Sequence, residues 1–236
     1  MQMHRPALMR SVFGVGMLTI VMLALTACGG GSSAQEEQAN KVHHIPEDSQ
    51  VYEGKPLPAG RYDTEEFKPA MSFTLEKGWS RGGTELRDIW DLQDLENDAF
   101  WVIFTSAEEV WDPKGSDGLK RAPAPEDMVG WLQANPHMKT EEPKPTSVGG
   151  ENGVHFDAIV TGVVESPECP GCVDVPLFPF SDGTAGVEKG EKVRFIVLED
   201  VKGQTVTIFI ESSADGFEEF LAKGQKVVDS VKWGGS

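Results

Sequence analysis

Cysteine is scarce in this chain of 236 residues: there are three, at positions 28, 169 and 172. A framework of several disulfides is thereby excluded, and so is a four-cysteine zinc site. Histidine is almost as scarce, with five in all, and only His137 and His155 stand within the part of the chain expected to fold. Basic residues are also in deficit: 21 Lys and Arg face 38 Asp and Glu, a formal charge of -17. Residues 1–27 hold two of the arginines and no acid, so without that segment the charge is -19. A nucleic-acid partner needs a basic footprint and is excluded on this ground. Docking of the domain itself on anionic headgroups is disfavoured for the same reason. Several catalytic signatures are missing as well. There is no Gly-X-Ser-X-Gly elbow, phosphate loop, dinucleotide fingerprint or His-Glu-X-X-His pair. No catalytic residue, metal ligand or cofactor site is nominated from the sequence.

Long apolar runs are confined to one place. Residues 11–25, "SVFGVGMLTIVMLAL", are uncharged and follow Arg5 and Arg10. A basic start and a short apolar run form the layout of an export signal. The run falls short of the roughly 20 residues that span a bilayer comfortably. It ends in Leu25-Thr26-Ala27-Cys28, which resembles the lipobox of bacterial lipoproteins. That resemblance implies cleavage before Cys28 and attachment of a diacylglyceryl group to its thiol. Two acyl chains hold a protein stably at a membrane, where one does so only marginally. The implied location is the extracytoplasmic face of a cell membrane or envelope. Residues 28–50, with "GGGSSAQEEQANKVHHIPEDSQ" from 29 on, are too polar to fold and read as a flexible tether. The adjacent His43 and His44 within it read as solvated residues. The remainder, 51–236, is long enough for one domain with a core of its own.

Periodicity within that domain predicts an α+β fold, an antiparallel sheet with flanking helices. Met71, Phe73 and Leu75 alternate in a half-buried strand that turns at Lys77-Gly78 and is followed by an aromatic plug, Trp79. "AFWVIFTS" (99–106) reads as a central strand, while 85–94 suits a strand or a helix turn equally. Residues 107–123 are charged and rich in Gly and Pro, and read as a loop. Within it, "DPKGSDG" (112–118) has the wrong acid spacing for an EF-hand. "APAPEDMVGWLQANP" (122–136) has the punctuation of a short helix, Pro125 in its first turn and Pro136 as its stop. Two hairpins follow, one turning near Gly149–Gly153, the other at Lys202-Gly203. Val154, Phe156, Ala158 and Val160 share one face of the first, with His155 and Asp157 read as surface decoration on the opposite, polar face. An amphipathic helix carries Phe217, Phe220, Leu221, Val227, Val228 and Val231.

"MSFTLEKGW", the late hairpin and "FEEFLAKGQKVVDSVKW" together resemble the PsbP-like exported α/β sandwich proteins. "L-P-A-G-x-Y" (57–62), "W-L-x-x-N-P" (131–136) and "C-P-x-C" (169–172) are similar to segments of exported actinobacterial lipoproteins. The resemblance spans most of residues 56–233. It implies a binding or accessory module rather than an enzyme, with an unidentified protein or small-molecule ligand.

Two residue sets then stand out. Cys169 and Cys172 read as a disulfide stapling a Pro-rich turn, because exported chains meet oxidising conditions. The alternative is an exported thiol-disulfide enzyme using the same Cys-X-X-Cys pair, and a metal role for the pair is the third reading. Among six tryptophans, Trp111 lies in a charged stretch beside Asp112 and Pro113 and is expected to be exposed and available for binding.

Overall fold

The structure is a computed structural model, and it describes residues 42–44, 55–97, 100–112, 120–164, 174–181 and 183–234. Cys28, Cys169 and Cys172 lie outside these residues, as does most of the 112–118 turn.

A large antiparallel sheet forms the centre. Its strands are β4 (Trp79–Glu85), β5 (Ile89–Asp94), β6 (Trp101–Thr105), β9 (Met138–Thr140), β10 (Lys144–Val148), β11 (Glu151–Val160), β14 (Glu191–Val201) and β15 (Gln204–Ser213). Their order is β10-β11-β14-β15-β6-β5-β4, with β9 pairing β11 beside β10. A smaller sheet has the order β1-β2-β3-β16, from β1 (Val42–His44), β2 (Gly60–Asp63), β3 (Met71–Leu75) and β16 (Lys232–Trp233). Two hairpins complete the β structure: β7 (Glu109–Asp112) with β8 (Lys120–Pro123), and β12 (Asp174–Phe180) with β13 (Gly183–Glu188). The two described helices are α1 (Met128–Gln133) and α2 (Phe217–Asp229).

The hairpin β14–β15 anchors the arrangement. Lys202 and Gly203 both take positive φ, 56° and 86°. A two-residue turn of that kind matches the twist of the flanking strands. Asp200 closes it by accepting from the Gly203 N–H at 2.9 Å. Strand alternation then sorts the side chains onto two faces. Val206, Ile208 and Ile210 enter one core with Ile196, Leu198, Trp90 and Phe104. Phe209 enters another with Val193, Phe195, Val197 and Ile103. The central strands are thus buried on both sides.

Helix α2 and the small sheet cover the first face. Phe217, Phe220, Leu221, Val227 and Val228 point inward, as the helical spacing predicts. The segment after α2 is locked by polar contacts. The Ser230 hydroxyl oxygen accepts from the Thr74 N–H at 2.8 Å, and the Trp233 indole donates to the Val148 carbonyl at 2.9 Å. The second face is covered by α1 and by the hairpin β12–β13, through Met128, Leu132, Val175, Leu177, Phe178 and Val187.

Four expectations need correction. Residues 107–123 are not all loop: Glu109–Asp112 and Lys120–Pro123 pair as strands, since Val110 and Trp111 are buried and Arg121 lies over the Trp111 ring at 5.3 Å. The tether expected through residue 50 includes a strand at Val42–His44, which runs parallel to β2 while His43 stacks on Tyr62 at 5.1 Å. Trp79 does not plug the end of a strand; it opens β4, because the Lys77-Gly78 turn carries the chain from the small sheet to the large one. Asp157 is no surface decoration: it is buried and receives two hydrogen bonds from Arg194, at 2.7 and 2.9 Å.

Candidate functional site

The sequence of β12, "DVPLFPF", explains both its isolation and its place. Pro176 and Pro179 have no N–H to give a ladder, so this strand cannot sit inside a large sheet. It pairs only with β13, Pro176 opposite Gly186 and Pro179 opposite Thr184. Val175, Leu177, Phe178, Ala185 and Val187 seat the hairpin on the second core. Asp174, Thr184, Gly186 and Glu188 line a cleft of about 420 Å³ whose remaining walls are Trp101, Glu191 and Glu211.

This cleft is acidic throughout, with no lysine or arginine among its lining residues. Asp174 and Glu188 stand directly opposite each other across the hairpin. Like charges in that relation are destabilising. Glu191 follows the next turn, and its carboxylate accepts from the Glu188 N–H at 2.7 Å. Glu211 sits deeper, on β15, paired in register with Trp101 on β6 and Val193 on β14. It is 6% exposed, and its Oε2 has no hydrogen-bond partner among the described residues. Oδ1 of Asp174 is likewise buried and unpartnered. Burial pushes the Glu211 carboxyl well above the ordinary carboxylate range, and the charges of Glu191 and Glu188 push it further. Glu191 is raised too, first by burial and then by Glu188, against the lowering effect of the Glu188 N–H.

Trp101 reaches the wall because of a glycine. A Cβ at Gly82 of β4 would collide with the Trp101 ring and lie 2.6 Å from an Asp91 carboxylate oxygen. The ring therefore leans over the bare backbone of Gly82.

Trp111 is not exposed. It is 4% exposed, because β7 packs beneath the hairpin β12–β13 instead of projecting into solvent. Its indole N–H donates to the Thr184 hydroxyl at 3.2 Å. Trp111 therefore lies one residue behind the cleft and holds part of its wall. His155 and His137 are not among the lining residues of the cleft. No group of three His, Cys, Asp or Glu poised to hold a metal ion occurs among the described residues. No described helix is long and apolar enough to cross a membrane.

A second cavity of about 510 Å³, lined by Arg87, Asp88, Glu109 and Arg121 among others, carries both signs of charge. Arg121 there lies 3.8 Å from Glu109, so part of its charge is already met within the protein.

Glu211 escaped the sequence reading because its strand was judged by its apolar residues. The signal was present: in "QTVTIFIESS", Glu211 continues the face of Thr207 and Phe209, which is a core face.

The fold is thus a mostly antiparallel β protein with two described helices on its sheets. Among solved structures it is similar to the cyanobacterial PsbP protein (CyanoP) of Synechocystis sp. PCC 6803, with 11% identity and a TM-score of 0.37, covering 75% of this chain and 95% of that one. No family model and no curated protein matches the sequence.

Proposed function

We propose that this protein is a lipid-anchored binding module of the cell envelope, held at the extracytoplasmic face through Cys28, and that its domain takes a ligand in the acidic cleft. One observation carries the binding role. Glu211 is buried with no partner for its Oε2 among the described residues, at the base of a cavity large enough for a small molecule. Small-molecule sites typically enclose about 300–1,000 Å³ and present a few converging polar groups. Buried ionisable groups with strongly perturbed protonation concentrate at such sites. The anchor rests on the order of charge, apolar run, small residues and cysteine at the start of the sequence. We assign Cys169 and Cys172 to a local disulfide that staples the turn leading into β12.

Two experiments test this reading. In a bacterial host, the wild-type chain is expected to incorporate labelled fatty acid and enter the detergent phase, and Cys28→Ser is expected to do neither. Equal partitioning of the two would refute the anchor. For the binding role, the full chain is melted with panels of small cations and anions. Saturable stabilisation by a cation, lost in Glu211→Gln, is the expected result. Absence of saturable stabilisation by any compound in either panel would refute a ligand site at the cleft.

A further inference from the structure

The walls of the cleft also speak to the class of ligand, an inference that rests on the binding role just proposed. Four carboxylates, from Asp174, Glu188, Glu191 and Glu211, face one space with no basic side chain lining it. Two of them hold a buried oxygen without a partner. They stand on separate elements: Asp174 and Glu188 on the hairpin β12–β13, Glu191 at the start of β14, and Glu211 on β15. One unit charge cannot satisfy so dispersed a set. A single metal ion is also a poor match, since no three of these donors converge at metal-binding geometry among the described residues. The Trp101 ring forms part of the wall, where a hard cation would want oxygen instead. Aromatic faces attract ammonium groups and accept the methylenes beside them.

We infer that the cleft binds a small aliphatic polyamine, with one ammonium group on Glu211 and a second between Asp174 and Glu188, its methylene stem lying along Trp101 and Gly186. Burial of Glu211 serves selectivity, because an ammonium there would meet a carboxylate from which most water has been excluded. The Trp111–Thr184 hydrogen bond fixes the hairpin side of the wall.

Calorimetric titration of the purified full chain at about 0.15 M salt, where long-range surface attraction is screened, tests the assignment. The probes are spermidine, calcium ion and a short lysine-rich peptide. Spermidine is expected to bind saturably at one site, with affinity lowered about tenfold or more by Glu211→Gln and several-fold by Asp174→Asn. Glu199→Gln, at an exposed acid on β14 away from the cleft lining, is expected to leave the affinity unchanged. Equal weakening by Glu199→Gln and Glu211→Gln would mean diffuse attraction to an acidic surface and would overturn the proposal. Saturable calcium or peptide binding lost in Glu211→Gln, with no spermidine binding, would overturn the ligand class while leaving the cleft as a site. No Glu211-dependent binding of any probe would overturn the polyamine and leave the broader binding role to the wider panels above. The melting curves of both variants establish that they are folded.

Discussion

The two faces of the central sheet each bury an acid, and the chain treats the two acids in opposite ways. Asp94, on the face beneath α2, is 6% exposed, and the Lys223 ammonium lies 2.6 Å from its carboxylate. The same ammonium donates to the Gly78 carbonyl at 3.0 Å and sits 4.8 Å from the centre of the Trp79 ring. The other Asp94 oxygen accepts from the Glu96 N–H at 2.7 Å. Glu211, on the opposite face and 6% exposed as well, has acids for neighbours and no cation among the described residues. On the first face Arg194 likewise meets a buried acid, Asp157, across the β11–β14 pair, as Lys223 meets Asp94. An unpaired buried charge is costly, and a buried acid kept among other acids points to a role outside stability.

Removing the lysine should produce the largest effect. Lys223→Met leaves Asp94 buried without its cation and is expected to destabilise the fold by about 2–3 kcal/mol in urea unfolding, allowing for the partial exposure of the lysine. Spermidine affinity should not change. The matched substitution on the other face, Glu211→Gln, is expected to act in the opposite direction, stabilising by about 1–2 kcal/mol at neutral pH. Destabilisation instead would erase the contrast between the two acids.

Acidity sharpens the same comparison. Burial and the neighbouring acids hold the Glu211 carboxyl well above its ordinary value of 4.5, so the folded protein holds this proton more tightly than the unfolded chain. Its favourable contribution is fully present below about 4.5 and is lost as pH rises through the folded value. The stability gain from Glu211→Gln should therefore be small near pH 4 and grow above it. Glu191 shares the cleft and is raised as well, first by burial, so its ionisation adds to the trend. Polyamine affinity should rise over the same range.

Smaller effects follow at the edges. Trp111→Phe keeps the packing but loses the Thr184 hydrogen bond, and is expected to cost about 1 kcal/mol and to weaken polyamine binding a few-fold. His155 has its pKa lowered by partial burial and by Arg194 and Lys144, against the raising effect of Asp157. Its contribution is present above the ordinary value of 6.5 and lost as pH falls through the folded value. Solvent screening limits it to a few tenths of a kcal/mol. His155→Gln should remove that much of the stability slope on the acidic side.

Elements with a strong period were legible before any coordinates. Val206, Ile208 and Ile210 against Thr207 and Phe209, the Lys202-Gly203 turn, and the stripe from Phe217 to Val228 all declare themselves in one dimension. Short pieces were not legible. β7 and β8 hold four residues each and depend on Trp111 finding Arg121 and Thr184 across the chain. The strand "DVPLFPF" carries two prolines, which argue against a central strand but allow a two-stranded one. The cleft was hidden for a further reason. Its acids come from four strands or their ends, and in a chain with 38 acidic residues none stands out until the fold brings them together. Asp94 and Glu211 look alike in sequence; only the fold reveals that one has a lysine 129 residues away and the other none among the described residues.

The most direct test is an NMR pH titration of the Glu211 side-chain carboxyl carbon in the full chain, with and without saturating spermidine. A midpoint well above 4.5 without the amine, moving down when it is added, is the predicted result. A midpoint near the ordinary glutamate value of about 4.3, unmoved by spermidine, would contradict it and leave the cleft as solvated surface.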